Sequence, residues 1–506
     1  MMQRIADVQR VTVREEAFLP EPRALFYSVE VGEGVRELVL HIAYEQLPWM
    51  HVFVRDPQGQ VRVQYLGKHR PERLVLSEAR ERCTIGCPAG AISAGTWSVE
   101  AVVYPPREAG AWLQIDIDLQ SGGGPGAEAP ESTLPIAEGV PWLTSTGEVA
   151  VDVSEAAHRE QRWYKGDFHM HTLLSDGKQT PGQLSRLAAE RQGLDFIVVT
   201  EHNTVHTAWP RQEGLLAVPG VEITGSRGHF NVLGAREWIN IYDREGRLTL
   251  EDGAGMNRIL AAANAQGAVC SLNHPYLAPW DWRFTDTDMS LFAAMEIWND
   301  PTYEGNAEAA EQALKAWDRC WARGIRLAGI GGSDTHMLPG DSYTPGGTPS
   351  IVGDPATYVW SDGLSPQSLL DAVRRRRCYV SRGPVLSLDI RANGRELRPG
   401  DDASEPARLW ELAIDYTLSI ESFAAASAVK PDDILRVVWI ESGRAVRVDQ
   451  AATGIACRFT ASWPAGQYRW LRAEVRTKDG ELLAFVNPVY AYPIEPLATV
   501  WKQVSG

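Results

Sequence analysis

The chain has 506 residues, enough for about three domains of ordinary size. Its formal net charge of −16 at pH 7 argues against a large nonspecific grip on duplex nucleic acid, which depends on many Lys and Arg contacts to phosphates. The sequence has no apolar stretch long enough for a membrane span and no apolar run near its first residues, so we expect no membrane association and a cytoplasmic location.

The first 120 residues contain short runs in which apolar and polar residues alternate, separated by turn residues. The clearest runs are Glu37 to Tyr44, His51 to Arg55, Trp97 to Tyr104 and Trp112 to Leu119. Such alternation is typical of strands with one buried face, and it predicts an N-terminal β-sandwich over residues 1–120. The run SGGGPG at residues 121–126 begins a polar segment with Ala and Pro, which predicts a linker over residues 121–162.

Between residues 163 and 384 the pattern changes to apolar runs of strand length that alternate with helical segments. The runs cover residues 195–200, 267–272 and 326–330. Thr180 before Pro181 marks the start of one helix, and Gly267 and Gly324 mark the ends of two others. Strands that alternate with helices predict parallel strands with helical crossovers, and in barrels of this kind the loops after the strands converge on one face.

Histidines and acidic residues follow several of these runs directly. The relevant segments are Asp167 to His171, Ser175 to Gly177, Glu201 to Asn203, Gly220 to Glu222, Gly228 to Phe230, Asn273 to Pro275 and Gly332 to His336. Side chains two residues apart on a strand point the same way, so His169 and His171 can reach one ion. A ligand set of nitrogen and oxygen without cysteine suits Mn²⁺, Fe²⁺ or Zn²⁺.

The ordered set H-x-H, S-D-G, E-H, E, H, N-H-P and S-D-x-H resembles the polymerase and histidinol phosphatase (PHP) superfamily, and most of all its carbaryl-hydrolase-like branch. The resemblance covers residues 163–384, under half of the chain. It implies an α/β fold in which a distorted (β/α)7 PHP barrel holds up to three divalent metal ions. Here N-terminal and C-terminal β-sandwich-like domains would flank the barrel.

Carried over position by position, the resemblance implies the ligands of each ion. The first ion would be held by His169, His171, Glu222 and Asp334. Glu222 would bridge to a second ion, which would also be held by His229 and His274. The third would be held by Asp176, His202 and His336. Glu201 and Asn203, which flank His202, are expected to orient its ring.

Two further residues are candidates for a catalytic role. His206, four residues after His202, is a candidate proton donor to the leaving group, with a plain loop histidine as the alternative. Glu296 ends a predicted strand that faces the same mouth, as does Asn299, and each either contacts substrate or makes a structural hydrogen bond.

A hydroxide that bridges two metal ions is a strong nucleophile at neutral pH, so no Ser or Cys nucleophile is needed. We therefore predict a metal-dependent hydrolase that cleaves phosphate esters of a small metabolite, a nucleotide or a short oligonucleotide. The same centre can attack a carbonyl, so a carboxyl-ester or carbamate hydrolase is the alternative enzyme. A noncatalytic, metal-stabilised scaffold or binding domain is the alternative from another class. The sequence leaves the oligomeric state and the native metal open.

Several features near the predicted mouth bear on specificity. Trp280 and Trp282 form an aromatic pair that can stack on a nucleobase or an aryl group, or else cap the barrel. Residues 337–350 are rich in Gly and Pro and predict a flexible lid. Arg227 and Arg382 are the basic residues singled out for phosphate contact, against an ordinary surface role.

Residues 385–506 return to a strand-and-turn pattern. The runs are residues 386–391, 410–418, 434–440, 468–476 and 482–490. They predict a C-terminal β-sandwich. The default role of the two sandwiches is to support the catalytic mouth, with polymer or carbohydrate binding and dimerisation as alternatives.

Overall fold

The computed structural model describes residues 8–67, 72–121, 134–152, 154–404, 411–424 and 433–506. These residues form a mixed α/β architecture that is rich in strands. None of the helices within these ranges has the length and apolar character needed to cross a membrane.

The strands of the first 120 residues form two antiparallel sheets. The strands are β1 (Val8–Glu15), β2 (Arg23–Val31), β3 (Glu37–Glu45), β4 (Met50–Arg55), β5 (Val61–Leu66), β6 (Glu72–Ser77), β7 (Gly95–Val103) and β8 (Trp112–Gln120). One sheet has the order β1-β8-β3-β6 and the other β2-β7-β4-β5. Alternate apolar side chains from both sheets share one core, among them Leu40 of β3 and Val52 of β4. The alternating runs of the sequence therefore lie where strands form.

The central region contains most of the helices together with eleven strands. The strands are β9 (Val140–Pro141), β10 (Arg162–Asp167), β11 (Phe196–Val199), β12 (Ala208–Trp209), β13 (Leu216–Gly225), β14 (Gly228–Leu233), β15 (Val269–Leu272), β16 (Ala294–Asn299), β17 (Ala328–Gly332), β18 (Ala356–Ser361) and β19 (Cys378–Ser381). The helices are α1 (Pro181–Arg186), continued by a π-helical turn (Leu187–Arg191), α2 (Gly253–Ala265), α3 (Asn306–Ala322) and α4 (Pro366–Arg374). Single 3₁₀ turns cover Arg80–Arg82, Thr249–Glu251, Met289–Leu291 and Trp501–Gln503.

The helix boundaries follow local signals in the sequence. Thr180 accepts a hydrogen bond from the backbone N–H of Gln183, and the Gln183 side chain accepts one from the Thr180 N–H, so the predicted start of α1 is confirmed as a capping box. Gly267 and Gly324 follow α2 and α3 with φ of +79° and +78°, a left-handed conformation that glycine adopts without strain. Both predicted helix ends are therefore confirmed.

The strands of the central region follow one another in the order β17-β16-β15-β14-β13-β11-β10-β18-β19. The predicted parallel pairing is confirmed for β10–β11, β11–β13, β15–β16 and β16–β17. It is wrong at β14, which is antiparallel to both neighbours, because only Ser226 and Arg227 separate it from β13. A two-residue connection allows only antiparallel pairing. β18 is also antiparallel to both of its neighbours.

The segments that follow β10 and β17 meet each other. Met170 and Thr335 form a parallel bridge, and the Asp334 N–H donates to the His169 carbonyl at 2.8 Å. β17 is the first strand in this order and β10 is the seventh. The contact therefore joins loops that follow two strands far apart in the sheet. The loops that carry the histidines therefore share one end of the central region.

The segment between the first sandwich and β10 is packed against both regions. Leu134 and Ala137 are buried in the sandwich core, and Trp142 stacks on Trp209 with ring centroids 5.2 Å apart. Strands β9 and β12 pair with each other. Residues 134–152 of the predicted linker are thus a segment that packs on both regions through apolar side chains such as Leu134 and Trp142. Residues 122–133, with most of the SGGGPG run, lie outside the described residues.

The C-terminal strands form a second pair of sheets. They are β20 (Pro384–Ala392), β21 (Arg395–Leu397), β22 (Glu411–Phe423), β23 (Leu435–Glu441), β24 (Arg444–Ala451), β25 (Ala456–Pro464), β26 (Arg469–Thr477), β27 (Leu482–Val486) and β28 (Val489–Ala491). One sheet has the order β21-β20-β22-β25. The other, β24-β23-β26-β27 with β28 beside β26, continues the central sheet because β27 pairs with β19. The last residues return to the central region, where Trp501 Nε1 donates to the Trp282 carbonyl at 3.0 Å.

Candidate metal centre

The central strands and the loops that follow them bring all nine predicted metal ligands into one cluster. Seven of them follow strands: His169, His171 and Asp176 follow β10, His202 follows β11, His274 follows β15, and Asp334 and His336 follow β17. The other two lie within strands, Glu222 in β13 and His229 near the start of β14. Each of the six histidines has a ring nitrogen within 3.4 Å of a carboxylate oxygen of Asp176, Glu222 or Asp334. Residues far apart in sequence thus become neighbours, as the strand-end pattern predicts.

The carboxylate of Glu222 is the hub of the cluster. Its side chain is 1% exposed. Its two oxygens lie between 2.9 and 3.6 Å from a ring nitrogen of each of five histidines: His169, His171, His202, His229 and His274. A single buried carboxylate surrounded by imidazoles is placed to share its two oxygens between neighbouring cations.

Two aspartates complete the cluster on its more open side. Asp334 Oδ1 lies 3.3 Å from His169 Nε2, 3.1 Å from His171 Nε2 and 3.7 Å from His336 Nδ1. Asp176 Oδ1 lies 3.2 Å from His336 Nε2, and the exposed fraction of its side chain is 39%. Asp176 therefore forms the edge of the cluster that faces solvent.

Three overlapping groups of side chains have ligand atoms that all lie within 4.8 Å of one another. They are His171, Asp176, His202 and His336; His169, Glu222 and His274; and His169, His171 and Asp334. This grouping differs from the assignment that the resemblance implies, since His171 also joins Asp176 and His229 stays outside the groups. The arrangement is compatible with divalent ions, and the number and identity of the ions stay predictions.

Electrostatics favours bound cations here. Burial raises the pKa of Glu222, but the surrounding histidines lower it well below its usual value, so the carboxylate stays charged. Burial and the neighbouring His336 and His202 lower the pKa of His171 to about 4, which leaves a neutral imidazole able to bind a metal. His169 Nε2 is buried and makes no hydrogen bond of normal geometry to any described residue, although carboxylates of Glu222 and Asp334 lie within 3.4 Å. A shared cation would satisfy these groups together, so the residues fit a metal site.

Backbone strain is concentrated at the same loops. Asn203, His274 and Asp334 have φ of +53°, +25° and +47°. Residues with side chains rarely adopt this left-handed region, and it persists only where the surroundings compensate for its cost. Two of these three residues are predicted ligands, so the strained loops serve to place the ligand side chains.

Neighbouring polar groups orient the ligands. Glu296 Oε1 accepts a hydrogen bond from His169 Nδ1 at 3.0 Å, and Asn273 Nδ2 donates to Glu222 Oε1 at 2.9 Å. His202 Nδ1 lies 2.6 Å from Thr224 Oγ1. Metal-binding imidazoles usually need such a partner to hold the ring and its tautomer. The sequence pattern did not identify Asn273 or Thr224 as supporting groups.

Glu296 is a positioning residue in this geometry. Besides His169, its carboxylate accepts a hydrogen bond from the backbone N–H of His274 at 3.1 Å. Its side chain is 2% exposed and does not line the cavity described below. Of the two predicted roles, the structural hydrogen bond at the strand end therefore agrees with the structure, and direct substrate contact does not.

Glu201 and His206 form a buried network that reaches His171 of the cluster through the Ser175 hydroxyl. Glu201 accepts hydrogen bonds from the backbone N–H groups of Thr172 and Ser175 at 3.0 and 3.1 Å, and His206 Nε2 lies 2.7 Å from its Oε1. Burial raises the pKa of Glu201, but its hydrogen bonds and His206 lower it to about 2. Glu201 thus supports the loop before Asp176. The prediction that Glu201 orients the His202 ring does not agree with these contacts, since Thr224 lies against that ring.

The predicted role of His206 as proton donor is not supported by its position. Its ring is 2% exposed, lies edge-on to Trp209 with centroids 4.9 Å apart, and does not line the cavity. The physical reason is that Glu201 draws the ring inward. Asn203 holds the backbone of Thr224 through two hydrogen bonds of 3.0 Å, so it supports His202 indirectly.

A cavity of about 760 Å³ opens above the cluster. Its floor contains Asp176, His202, Glu222, His229, His274, Asp334 and His336. The central region contributes a row of aromatic rings to one wall, in which Trp280, Tyr303 and Tyr343 contact one another edge to face at centroid distances of 5.4 and 5.0 Å. A pocket of this size is suited to a small molecule.

Other residues singled out in the sequence have different positions. Trp282 is 3% exposed and packs in the core, so only Trp280 of the predicted pair reaches the cavity. Arg227 lies over the ring of Phe284, and Arg382 pairs with Asp354 at 3.3 Å. Neither arginine lines the cavity, because each is held by a partner elsewhere. From residues 337–350, Met337 and Tyr343 do line it.

The N-terminal sandwich supplies a wall that the sequence pattern did not reveal. Pro48, Trp49, Tyr104, Pro105 and Arg107 all line the cavity. Among the described lining residues, Arg107 is the only Lys or Arg. No local motif marks these residues, since they reach the site only through the packing of two regions. The sandwich therefore contributes to the cavity wall in addition to packing against the central region.

No protein-family model matches the chain, and no curated protein matches it either. The resemblance to the PHP superfamily thus rests on the motifs and on their spacing alone.

Proposed function

We propose that this chain is a metal-dependent hydrolase of the PHP type that cleaves phosphate esters of small molecules. The observation that carries the proposal is the convergence of seven histidine and acidic side chains on the floor of one cavity, with Glu222 at their centre. In this proposal the central strands are the distorted (β/α)7 barrel and the three ligand groups hold two or three divalent ions, Mn²⁺, Fe²⁺ or Zn²⁺.

Divalent cations in such a site would lower the pKa of bound water and stabilise the charge that develops on phosphoryl oxygens. The protein's own contribution is to hold the ligands and to shape the space above them. Glu296 holds the His169 ring, so that Nε2 of this ring faces Glu222 and Asp334. Asn299 Nδ2 donates to Asp334 Oδ2 at 3.1 Å, which holds the other oxygen of that carboxylate toward the histidines.

Aromatic rings form part of the cavity wall beside the ester in this proposal. Tyr303 and Tyr343 are partly buried and Trp280 is exposed, and all three rings line the cavity that contains the cluster. Arg107 is the one guanidinium in the described lining that can pair with an anionic substrate. A small phosphate ester would thus be held by cations at the floor and by apolar contacts along the walls.

A carboxyl-ester or carbamate hydrolase is the second candidate. The observation that favours it is the scarcity of basic residues, since the described cavity walls contain one arginine and many aromatic and apolar side chains. A neutral ester is easier to accommodate between such walls than a phosphate dianion.

The test is a hydrolysis assay of metal-loaded protein on nitrophenyl esters that share one leaving group: a phosphate monoester, a phosphate diester, an acetate and an N-methylcarbamate. We expect turnover of a phosphate ester that chelator abolishes and that added Mn²⁺ restores. Turnover confined to the acetate or carbamate would transfer the protein to the second candidate. No turnover of any ester would favour the noncatalytic scaffold.

A further inference from the structure

Side chains of the N-terminal sandwich bond the loop that carries His202 of the candidate metal centre. Gln64 of β5 bonds both backbone groups of Val205, accepting from its N–H at 2.9 Å and donating to its carbonyl at 3.1 Å. His51 Nε2 lies 3.3 Å from the carbonyl of His202. The sandwich therefore holds the loop that carries a predicted ligand.

The same interface has a continuous apolar core. Ala24, Phe53 and Val102 of the sandwich belong to one buried cluster with Ile241 and Tyr242 of the central region. Since this contact is closely packed, it fixes the position of the sandwich against the central region without substrate. Preorganised groups bind a ligand at lower entropic cost.

Trp49 and Tyr104 give this wall a flat aromatic character. The Trp49 ring contacts the His202 ring edge to face at a centroid distance of 5.5 Å, and both rings line the cavity. Tyr104 is held by a hydrogen bond of 2.5 Å from its hydroxyl to Glu251 Oε1. With Trp280, Tyr303 and Tyr343 on the central wall, aromatic rings from two regions face one cavity.

Arg107 adds a positive charge to the same wall. It is exposed, whereas the metal ligands are mostly buried, so it lies toward the solvent side of the cavity. No ion pair joins it to an acid in the part of the chain that the structure describes. A guanidinium in this position is suited to pair with a carboxylate or phosphate of a ligand.

We infer that the N-terminal sandwich forms one wall of the substrate site and that the preferred substrate is an ester whose organic group is a planar aromatic ring with an anionic substituent remote from the cleaved bond. The ring lies against Trp49 and the central aromatic row, and the remote anion pairs with Arg107. This inference rests on the proposed function in one respect, that the reactive end of the substrate lies at the metal cluster.

Binding of non-hydrolysable phosphonates to the metal-loaded, full-length protein tests the inference without turnover. The probes are ethylphosphonate, phenylphosphonate and 4-carboxyphenylphosphonate, and their dissociation constants are measured by calorimetry. We expect the phenyl probe to bind about 10-fold more tightly than the ethyl probe, from ring contacts. The carboxyl group should add about 5-fold through a partly exposed charge pair.

Variants assign each preference to a residue. Arg107→Gln should remove the gain from the carboxyl group and leave the phenyl-to-ethyl ratio unchanged, while Arg107→Lys should keep part of that gain. Trp49→Leu should reduce the phenyl preference, and Trp49→Phe should retain most of it. The control is Arg211→Gln, an exposed arginine outside the cavity lining, which should match the parent chain. Thermal melts establish that each variant is folded.

Equal binding of the three phosphonates, no binding of any, or an unchanged carboxyl preference in Arg107→Gln would overturn the inference. The nitrophenyl ester assay is run beside it on the same preparations. Selective phosphonate binding without hydrolysis of any ester would refute the proposed function and leave the site assignment standing. Metal-dependent hydrolysis without selective phosphonate binding would support the proposed function and refute the inference about the substrate.

Discussion

The two nitrogens of the His169 ring face different carboxylates. Its Nδ1 donates to Glu296 at 3.0 Å, and its Nε2 lies 3.4 Å from Glu222 and 3.3 Å from Asp334. Burial by itself lowers the pKa of His169, but the carboxylates of Asp334, Glu296 and Glu222 raise it well above its usual value. In this geometry the hydrogen bond from Nδ1 to Glu296 holds the ring in place, and Nε2 is the nitrogen that can bind a cation.

Replacement of Glu296 by Gln should weaken metal binding while the fold is retained. The amide keeps the size of the side chain but is a poorer acceptor for the His169 Nδ1–H, and loss of such a partner typically lowers metal affinity about 10- to 100-fold. Chelator competition monitored by elemental analysis measures the change. Glu441→Gln, which affects a partly exposed ion pair with Arg469, is the control. Unchanged metal affinity in Glu296→Gln would remove this residue from the site.

Replacement of Asp176 and replacement of Glu222 should reduce the number of bound metal ions per chain to different extents. Asp176 contacts His202 and His336 at the edge of the cluster, whereas Glu222 contacts five histidines at its centre. We expect Asp176→Asn to lose about one ion per chain and Glu222→Gln to lose most of the bound metal, since a bridging carboxylate serves more than one ion. Elemental analysis after gel filtration gives the stoichiometry. Equal losses in both variants would contradict the hub role of Glu222.

Removal of metal should lower thermal stability. Without cations the buried carboxylates and imidazoles of the cluster are left with fewer compensating charges, and a ligand that binds only the folded state stabilises it by about 2.7 kcal/mol at a free concentration of about 100 times Kd. Melting curves with and without chelator should differ by several degrees. In Glu222→Gln the two curves should nearly coincide. A chelator effect of equal size in that variant would place the stabilising metal elsewhere.

The parts of the fold with a strong local signal could be predicted from the sequence. The capping box at Thr180 and the left-handed glycines at positions 267 and 324 depend on a few neighbouring residues, and they lie where predicted. The cluster could also be predicted, because most of its members directly follow strands of the central sheet. Antiparallel β14 was missed because it depends on the length of one turn.

Residues whose roles depend on packing between distant segments could not be predicted. Trp49 and Arg107 reach the cavity because one sandwich packs on the central region, which no spacing in the sequence encodes. Trp280 and Trp282 are two residues apart, yet one faces the cavity and the other the core. His206 has the spacing of a catalytic neighbour, but the buried carboxylate of Glu201 determines where its ring lies.

Substitution of His206 by Gln should affect stability more than chemistry. The ring bonds Glu201 in a buried network, and loss of one such hydrogen bond typically costs about 1–3 kcal/mol. Turnover at saturating substrate should fall only slightly, and the pH profile should keep its shape, since the ring does not reach the cavity. Denaturant unfolding and a pH–rate series measure the two effects. Loss of one limb of the pH profile would restore the role of proton donor.

A buried charge network should make the junction between the central region and the C-terminal sandwich sensitive to acid. Arg472 of β26 pairs with Glu474 at 2.5 Å and with Asp318 of α3 at 2.8 Å. Burial raises the pKa of Glu474, but the guanidinium groups of Arg472 and Arg476 outweigh burial and lower the pKa below the usual 4.5. A carboxylate with a lowered pKa contributes stability that is present above its unfolded pKa and is lost as the pH falls through its folded pKa.

Glu474→Gln should therefore destabilise the protein most at neutral pH. Removal of one partner from a buried pair leaves Arg472 less well compensated, and such changes cost about 3 kcal/mol. The difference in unfolding free energy between parent and variant should be largest near pH 7 and should shrink below pH 4.5, where the parent carboxylate also becomes neutral. Asp389→Asn, which breaks an exposed pair with Arg391, should change little at either pH. A difference that stays constant with pH would show that Glu474 stabilises the junction by packing and not by its charge.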